Sequence, residues 1–272
     1  MRYEEFRPSE SLARFIKCFW VLESARAPSS SPERILPDGC TELVLHTGDP
    51  FDQHQPDGTT ECQPLAMMVG QMRGHLLIQP TGRVRVLGVR FWPGGAYPFL
   101  AFPQDEVAGK VLSLDSIWGG ATRQLHEKVA EARTPAECVR HVETNLLARL
   151  AKFRGPDNGL SNAIALILAS GGCVSIACLA DSMGINFRKL DRTFNTRVGL
   201  PPKTLCRIVR FQRVFKVLER DVNAANWAQI ALDCGYYDQA HFVKEFREFS
   251  GKTPTAYFAE QNAISDLFIA SS

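Results

Sequence analysis

The strongest constraint on this chain is an internal repeat. Leu179, Ala180, Met183 and Gly184 reappear as Ile230, Ala231, Cys234 and Gly235, each 51 positions later. After the glycine the offset becomes 52, so that Leu190, Phe194, Gly199 and Pro202 map onto Phe242, Phe246, Gly251 and Pro254. The second copy has gained one residue inside its turn. Such a repeat speaks of organisation before it speaks of function.

Each copy, within the stretch from Val174 to Tyr257, reads as a short helix, a turn containing glycine, and a second helix. Ser175 is a candidate N-cap, Leu179 and Met183 share one face at i, i+4, and small Ala180 lets a neighbouring helix come close. Gly184 ends this helix. Asn186 then caps a helix in which Leu190, Phe194 and Val198 recur every four residues, leaving Arg188, Asp191, Arg192 and Asn195 on the wet side. In the second copy Asn226 and Gln229 have capping-box spacing, Gly235 suits a left-handed C-terminal cap, and Asp238 caps the next helix. Phe242, Phe246 and Phe249 supply its buried stripe, and Gln239, Ala240, His241 and Lys244 face outward near its start.

A helix-turn-helix unit can place one short helix, polar on its free face, in a DNA major groove while the first helix braces it. Arginine and glutamine there reach base edges bidentately. Between the copies Leu205, Ile208, Val209, Gln212, Phe215 and Leu218 keep a helical period in a stretch that also holds Lys203, Arg207, Arg210, Arg213, Lys216 and Arg220. As a helix, Lys203 to Arg220 spans about 27 Å, roughly what separates two reading heads one DNA turn apart.

These residues carry a resemblance to the AraC/XylS-type transcription regulators. It rests on Leu179-Ala180-Asp181-Ser182-Met183-Gly184, Arg188-Lys189-Leu190-Asp191-Arg192-Thr193-Phe194 and Gly199-Leu200-Pro201-Pro202. Above all it rests on Ile230-Ala231-Leu232-Asp233-Cys234-Gly235-Tyr236, Asp238-Gln239-Ala240-His241-Phe242 and Gly251-Lys252-Thr253-Pro254. It covers roughly the last third of the chain. The resemblance implies that Arg188, Lys189, Asp191, Arg192 and Asn195, with Gln239, Ala240, His241 and Lys244, meet double-stranded DNA. Two departures stand out. Asp191 puts a carboxylate where uncharged polar residues are common, which disfavours phosphate and suits a cytosine amino group, and Ala240 offers only methyl contact.

Charge distribution agrees. The net charge is +2, yet from Asn158 to Phe258 there are 13 Lys plus Arg against 8 Asp plus Glu, and 18 against 21 elsewhere. The positive excess thus sits on the segment that would meet phosphates. Met1 to Phe6 carries Arg2, Glu4 and Glu5 instead of an apolar leader core, and no run approaches eighteen apolar residues. A cytoplasmic protein with no membrane partner is expected. The eight cysteines form no CxxC pair and no zinc-finger spacing, and are read as reduced core residues.

The N-terminal half changes period. Phe15 to Leu22 form an apolar cluster, a Ser/Pro-rich break follows at 27–32, and Leu36-Pro37-Asp38-Gly39-Cys40 turns into a strand at Thr41 to His46. Thr47 to Gln63 is polar and rich in Gly, Pro and Asp, so an exposed loop is expected. Strands follow at Met67 to Val69, Leu76 to Gln79 and Val84 to Phe91, the last with a shift of register at Gly88. From Gln104 to Arg154 the period is helical, with Thr134-Pro135-Ala136-Glu137 as a capping box and Cys138, Val142, Leu146 and Leu150 as a stripe that is either core or dimer seam. Gly155-Pro156-Asp157-Asn158-Gly159 reads as the linker.

The expected fold is therefore an α+β multidomain chain. Residues 1–154 form a β-rich sandwich or barrel with trailing helices at 104–154, and residues 158–260 form an all-α domain of two helix-turn-helix units joined by a linker helix. The first half resembles, more loosely, the cupin-like sensor domains of the same family, so a small-molecule effector is implied. Asp38, Glu42, His46, Arg90 and Trp92 are the candidate ligand-binding residues, although Asp38-Gly39 and Gly94-Gly95 are equally read as plain turns.

Glu42, His46, His54 and His75 include no His-x-His pair, so neither a metal nor another cofactor is expected, and no catalytic motif appears. Two alternatives stay open: a cupin-like metalloenzyme carrying a DNA-binding appendage, and a regulator whose first half binds only protein. RNA polymerase and a second copy of the chain are partners that the resemblance allows. Arg192→Ala is expected to cost about 1–3 kcal/mol on the cognate site and to relax base choice locally. Competition binding against random DNA checks it, since equal losses on both duplexes would remove Arg192 from the base readers.

Overall fold

A computed structural model of the chain describes residues 1–25, 31–100, 102–155, 159–218, 226–260 and 264. Most of the Ser/Pro-rich break and the centre of the expected linker lie outside them. The first half contains β1 (Arg2–Phe6), α1 (Glu10–Ala13), β2 (Ile16–Ser24), β3 (Glu33–Ile35), β4 (Thr41–His46), β5 (Phe51–His54), β6 (Thr60–Cys62) and β7 (Ala66–Val69). Next come β8 (Leu76–Pro80), β9 (Val84–Phe91), α2 (Tyr97–Leu100), a 3-10 turn at Gln104–Glu106, β10 (Val111–Ser113), α3 (Asp115–Trp118), α4 (Gly120–Glu131) and α5 (Pro135–Leu150). An antiparallel six-stranded sheet in the order β1-β2-β9-β4-β7-β10 faces a four-stranded sheet in the order β3-β8-β5-β6.

The six-stranded sheet is covered on both faces, and its central strands show it. Along β9, Leu87, Val89 and Phe91 join one core with Leu43, Leu45, Phe19 and Val21. Val84 and Val86 point the other way, into a second core with Trp20, Leu22 and Val44. Alternation is unbroken through Gly88, which pairs with Trp20 on one side and Val44 on the other. The shift of register expected at Gly88 is therefore absent. It lies in the neighbouring strand, between Ile16 and Cys18. Two buried faces erase the apolar-polar rhythm by which period is normally read, and glycine at 88 leaves room for an indole: a Cβ there would stand 2.0 Å from Trp20 Cε2.

Two further expectations are corrected. The segment from Thr47 to Gln63 is no exposed loop but carries the β5–β6 hairpin, with Phe51 buried. The segment from Gln104 to Arg154 is not wholly helical, because β10 closes the edge beside β7. The helix stripe behaves as core. Thr134 accepts a hydrogen bond from Glu137 N, and Cys138, Val142 and Leu146 bury against the outer face of the sheet.

The second half is all helix: α6 (Leu160–Ala169), α7 (Ile176–Ser182), α8 (Phe187–Val198), α9 (Pro202–Leu218), α10 (Trp227–Asp233), α11 (Gln239–Ser250) and α12 (Pro254–Phe258). Each expected cap is formed. Ser175 accepts from Cys178 N, Asn186 from Lys189 N, Asn226 from Gln229 N and Asp238 from His241 N. Gly199 and Gly251 end the two recognition helices in left-handed geometry. Helix α9 serves two cores: Leu205 and Cys206 lie with Leu190 and Phe194, whereas Ile208, Phe211 and Phe215 lie with Phe242, Phe246 and Phe249. Gly88→Ala is expected to destabilise the first half by about 1–3 kcal/mol through overpacking, read as a fall in thermal midpoint by near-UV circular dichroism; an unchanged midpoint would mean that Trp20 moves freely.

Candidate functional site: nucleic-acid interface and cavity

Two places on this fold can do chemistry, and helix α9 adjoins both. The first is the surface carrying α8 and α11. Arg188, Lys189, Asp191 and Arg192 are exposed on α8, as are Gln239, Ala240 and Lys244 on α11. Asn195 is half-buried and donates to Asp191 at 3.1 Å, so the carboxylate of Asp191 is partly occupied. His241 is half-buried with its ring edge-on to Tyr236. Asp191, His241 and Lys244 border one groove between the two units, floored by Lys203, Arg207 and Arg210 of α9. Phe187 and Tyr237 stand exposed just before the two reading surfaces, Tyr237 at 88%, and sequence reading had not singled them out.

What orients α11 is a buried carboxylate. Glu245 is 3% exposed and accepts from Arg207 Nε at 2.7 Å and from Arg210 Nη2 at 3.0 Å, while Glu248 takes the other end of Arg207 at 2.6 Å. Burial works against charge on both guanidiniums, but these carboxylates outweigh it and raise both pKa values above the ordinary arginine range. Arg210 also lies 4.6 Å over the Tyr236 ring. An Arg210 engaged in this way is a brace between α9 and α11. The signal was present in the sequence: Glu245 lies inside the stripe of Phe242, Phe246 and Phe249, and a carboxylate on a buried face needs a cationic partner.

The second place is a cavity between the two sheets. Asp38, Glu42, His46 and Arg90 all line it, among walls of Trp20, Val44, Met67 and Ile78. Its empty space is about 860 Å³, counting what opens to solvent. Trp92 does not belong to it: its indole nitrogen donates to Ala13 O, and its ring lines a separate groove with Pro93, Leu160 and Ile164. The end of the strand, not alternation, explains the exclusion. Glu42, Val44 and His46 share one face of β4, and Arg90 shares the matching face of β9 with Val86 and Gly88, whereas Trp92 lies beyond the strand in a turn.

Arg90 is 2% exposed and donates to Glu42 at 2.6 Å, with Asp38 at 3.5 Å. Burial opposes its charge, yet Glu42 and Asp38 together hold it ionised. Burial pushes the Glu42 carboxyl upward against the pull of Arg90, and pushes the His46 imidazole down to about 4, so His46 is neutral at physiological pH. The other histidines considered as ligands lie apart: His54 bonds Gln79 and Thr60 on the second sheet, and His75 packs beside Gly251. Among the described residues no group of three or more His, Cys, Asp or Glu is placed to hold a metal ion.

Two residues of the second half complete the cavity wall, Gln212 of α9 and Ile264. Gln212 Nε2 donates to Pro37 O at 2.7 Å, and Ile264 N donates to Glu33. Neither was visible as a cavity residue, because both are distant in sequence from the strands that they cover. Glu245→Gln leaves two guanidiniums without their shared carboxylate. It is expected to weaken binding to a duplex with both reading sites by about tenfold, equivalent to 1.4 kcal/mol, and to spare a duplex that engages α8 alone. Equal losses on both duplexes in gel-shift titrations would contradict the brace.

Residues 179–260 match a family model described as a helix-turn-helix domain, and residues 4–113 match a domain of unknown function, DUF6597. No curated protein matches the chain in sequence. Among solved structures the chain is similar to ToxT from Vibrio cholerae at 11% identity, covering 88% of this chain and 98% of that one with a TM-score of 0.49. A ToxT structure bound to (E)-4-(8-methylnaphthalen-1-yl)but-3-enoic acid is similar at 10% identity over 88% and 98%, TM-score 0.48. One bound to an unsaturated fatty acid is similar at 10% over 87% and 92%, TM-score 0.44. With two paired helices, formed caps and a basic surface already in place, the match over 179–260 makes this segment a helix-turn-helix domain.

Proposed function

We propose that the chain reads two successive major-groove segments through α8 and α11, and that an apolar small molecule held between the two sheets governs this reading. The observation that carries the second statement is the composition of the cavity wall. A ligand enclosed there touches Gln212, one residue past Phe211 at the centre of the second helix-turn-helix core. Any ligand that binds with or without that contact unequally biases where α9 sits. Helix α9 in turn sets α11 through the Glu245 brace.

The base-facing assignments of Arg188, Lys189, Asp191, Arg192, Gln239, Ala240 and Lys244 are supported by their exposure. Asn195 and His241 serve in part as supports within that surface. Contact with RNA polymerase, self-association and a cytoplasmic location belong to the same reading and rest on the family resemblance; no helix among the described residues is long and apolar enough to cross a membrane. Saturating the cavity is expected to change operator affinity by about 5- to 150-fold, and Gln212→Ala is expected to cut that response while leaving ligand affinity within about threefold, under 1 kcal/mol. Fluorescence anisotropy with labelled operator, with and without ligand, measures both. Operator affinity unmoved by a bound ligand would refute control through the cavity.

A further inference from the structure

The cavity has an axis with chemically distinct ends. Glu42 and His46 are four residues apart on one face of β4, a separation of about 13 Å at strand rise. At the first end stand Asp38, Glu42 and Arg90 beneath Gln212; in the middle lie Trp20, Val44 and Met67; at the far end stands His46 with Phe51 and Gln63. At the acidic end Cys18, beside Arg90 on β2, and Cys40, in the cavity wall, are both kept as neutral thiols by burial. Among the lining residues, then, two carboxylates face a single guanidinium that already pairs with both. Lys17 is the other cation that bears on this corner, and its amine lies over the Trp92 ring, outside the cavity.

A second, independent feature marks the far end. His46 is 1% exposed, and the Gln63 side chain that bears on its ring leaves at least one ring nitrogen without a hydrogen-bond partner. A buried polar group in that condition costs free energy, which a ligand hydroxyl or amide could recover.

We infer that the cavity is built for an elongated apolar molecule with a cationic, amine-type head group, the head at Glu42 and Asp38 and the apolar body along Trp20, Val44 and Met67 toward His46. This rests on the reading of the cavity as the regulatory site. A carboxylate head would bring a third anion to one guanidinium where few water molecules screen it, so like charges would meet at low dielectric. An ammonium head reverses the sign. It restores balance at the corner and holds Glu42 ionised against its own burial, and the indole of Trp20 adds a face suited to cations. The long chain removes apolar surface from water along the walls.

The test uses the full chain and three probes of one chain length, n-decylammonium, n-decanol and n-decanoate, each below its aggregation concentration, followed by tryptophan fluorescence and calorimetry. Decylammonium is expected to bind at least about tenfold more tightly than either other probe, a difference of 1.4 kcal/mol. Glu42→Gln is expected to bring the three affinities within about threefold. Val44→Phe, which fills the middle of the cavity, is expected to weaken all three. Because Glu42→Gln strips Arg90 of a partner and can fail to fold, the ranking by the unaltered protein decides alone in that event. Decanoate or decanol binding as tightly as decylammonium overturns the cationic ligand, as does decylammonium binding that survives Val44→Phe unchanged. Those outcomes leave control through the cavity standing, since that reading falls only if operator affinity ignores whichever probe binds.

Discussion

Helix α9 has to satisfy three environments with one register, and the arrangement of the molecule follows from that demand. Leu205 and Cys206 complete the core under α8; Ile208, Phe211, Val214 and Phe215 complete the core under α11. Gln212 crosses to the first half, and Leu205 reaches Gly39 so closely that a Cβ there would stand 2.9 Å from its Cδ1. A helix rotated by one residue would lose all of these at once, because its neighbours lie on different faces. The linker is thus no passive spacer. Its apolar positions fix the separation of the recognition helices, and its polar positions decide what else can touch them.

The contacts between halves are both apolar and polar: Leu36 joins the core under α11, and other contacts gather at the ends of helices. Gly199 ends α8 with a positive φ, and a Cβ there would meet Gln104 O at 2.9 Å. Arg197 lies 4.7 Å over the Tyr97 ring, and Gly251 at the end of α11 sits against His75. Both α8 and α11 therefore finish against the first half, at glycines that no larger residue could replace without strain. The polar part of this interface can be remade without opening either core, which is what an interface needs if its geometry is to respond to a ligand.

Legibility in the sequence followed periodicity. The helix-turn-helix copies were readable to the cap because Ser175, Asn186, Asn226 and Asp238 act locally, within three residues of their partners. The first half was readable as β-rich but not in detail. Strand β9, buried on both faces, lost the alternation that would have shown Gly88 and Arg90 as members of one row with Val84 and Val86. The β5–β6 hairpin hid in a polar composition because only Phe51 and Gln53 of β5 turn inward. Of the candidate ligand residues, Asp38, Glu42, His46 and Arg90 converge while Trp92 stands apart, and neighbours in sequence gave no warning of that division. Glu245 was marked by its place inside the stripe of Phe242, Phe246 and Phe249, whereas Gln212 and Ile264 depend on contacts between distant segments, which no local pattern encodes.

The cavity and the linker can be joined by arithmetic. Moving a two-state equilibrium from 1:99 to 99:1 requires a ligand that favours one state by about 5.5 kcal/mol. Burial of each methylene contributes about 0.8 kcal/mol. Roughly seven methylenes whose burial depends on Gln212 and Ile264 closing the wall would therefore suffice, and Glu42 and His46 lie about 13 Å apart along the strand, a separation of the same order as the length of such a chain. Charge at the Glu42 end then has a different task. It adds less to the switch than the apolar body does, because Asp38 and Glu42 both belong to the first half and meet the head group whether or not the wall is closed. The proposed control would thereby divide selectivity among ligands and leverage over DNA between two walls of one cavity: the acidic corner of the first sheet would choose the molecule, and the surface contributed by the second half would convert its presence into a position for α9.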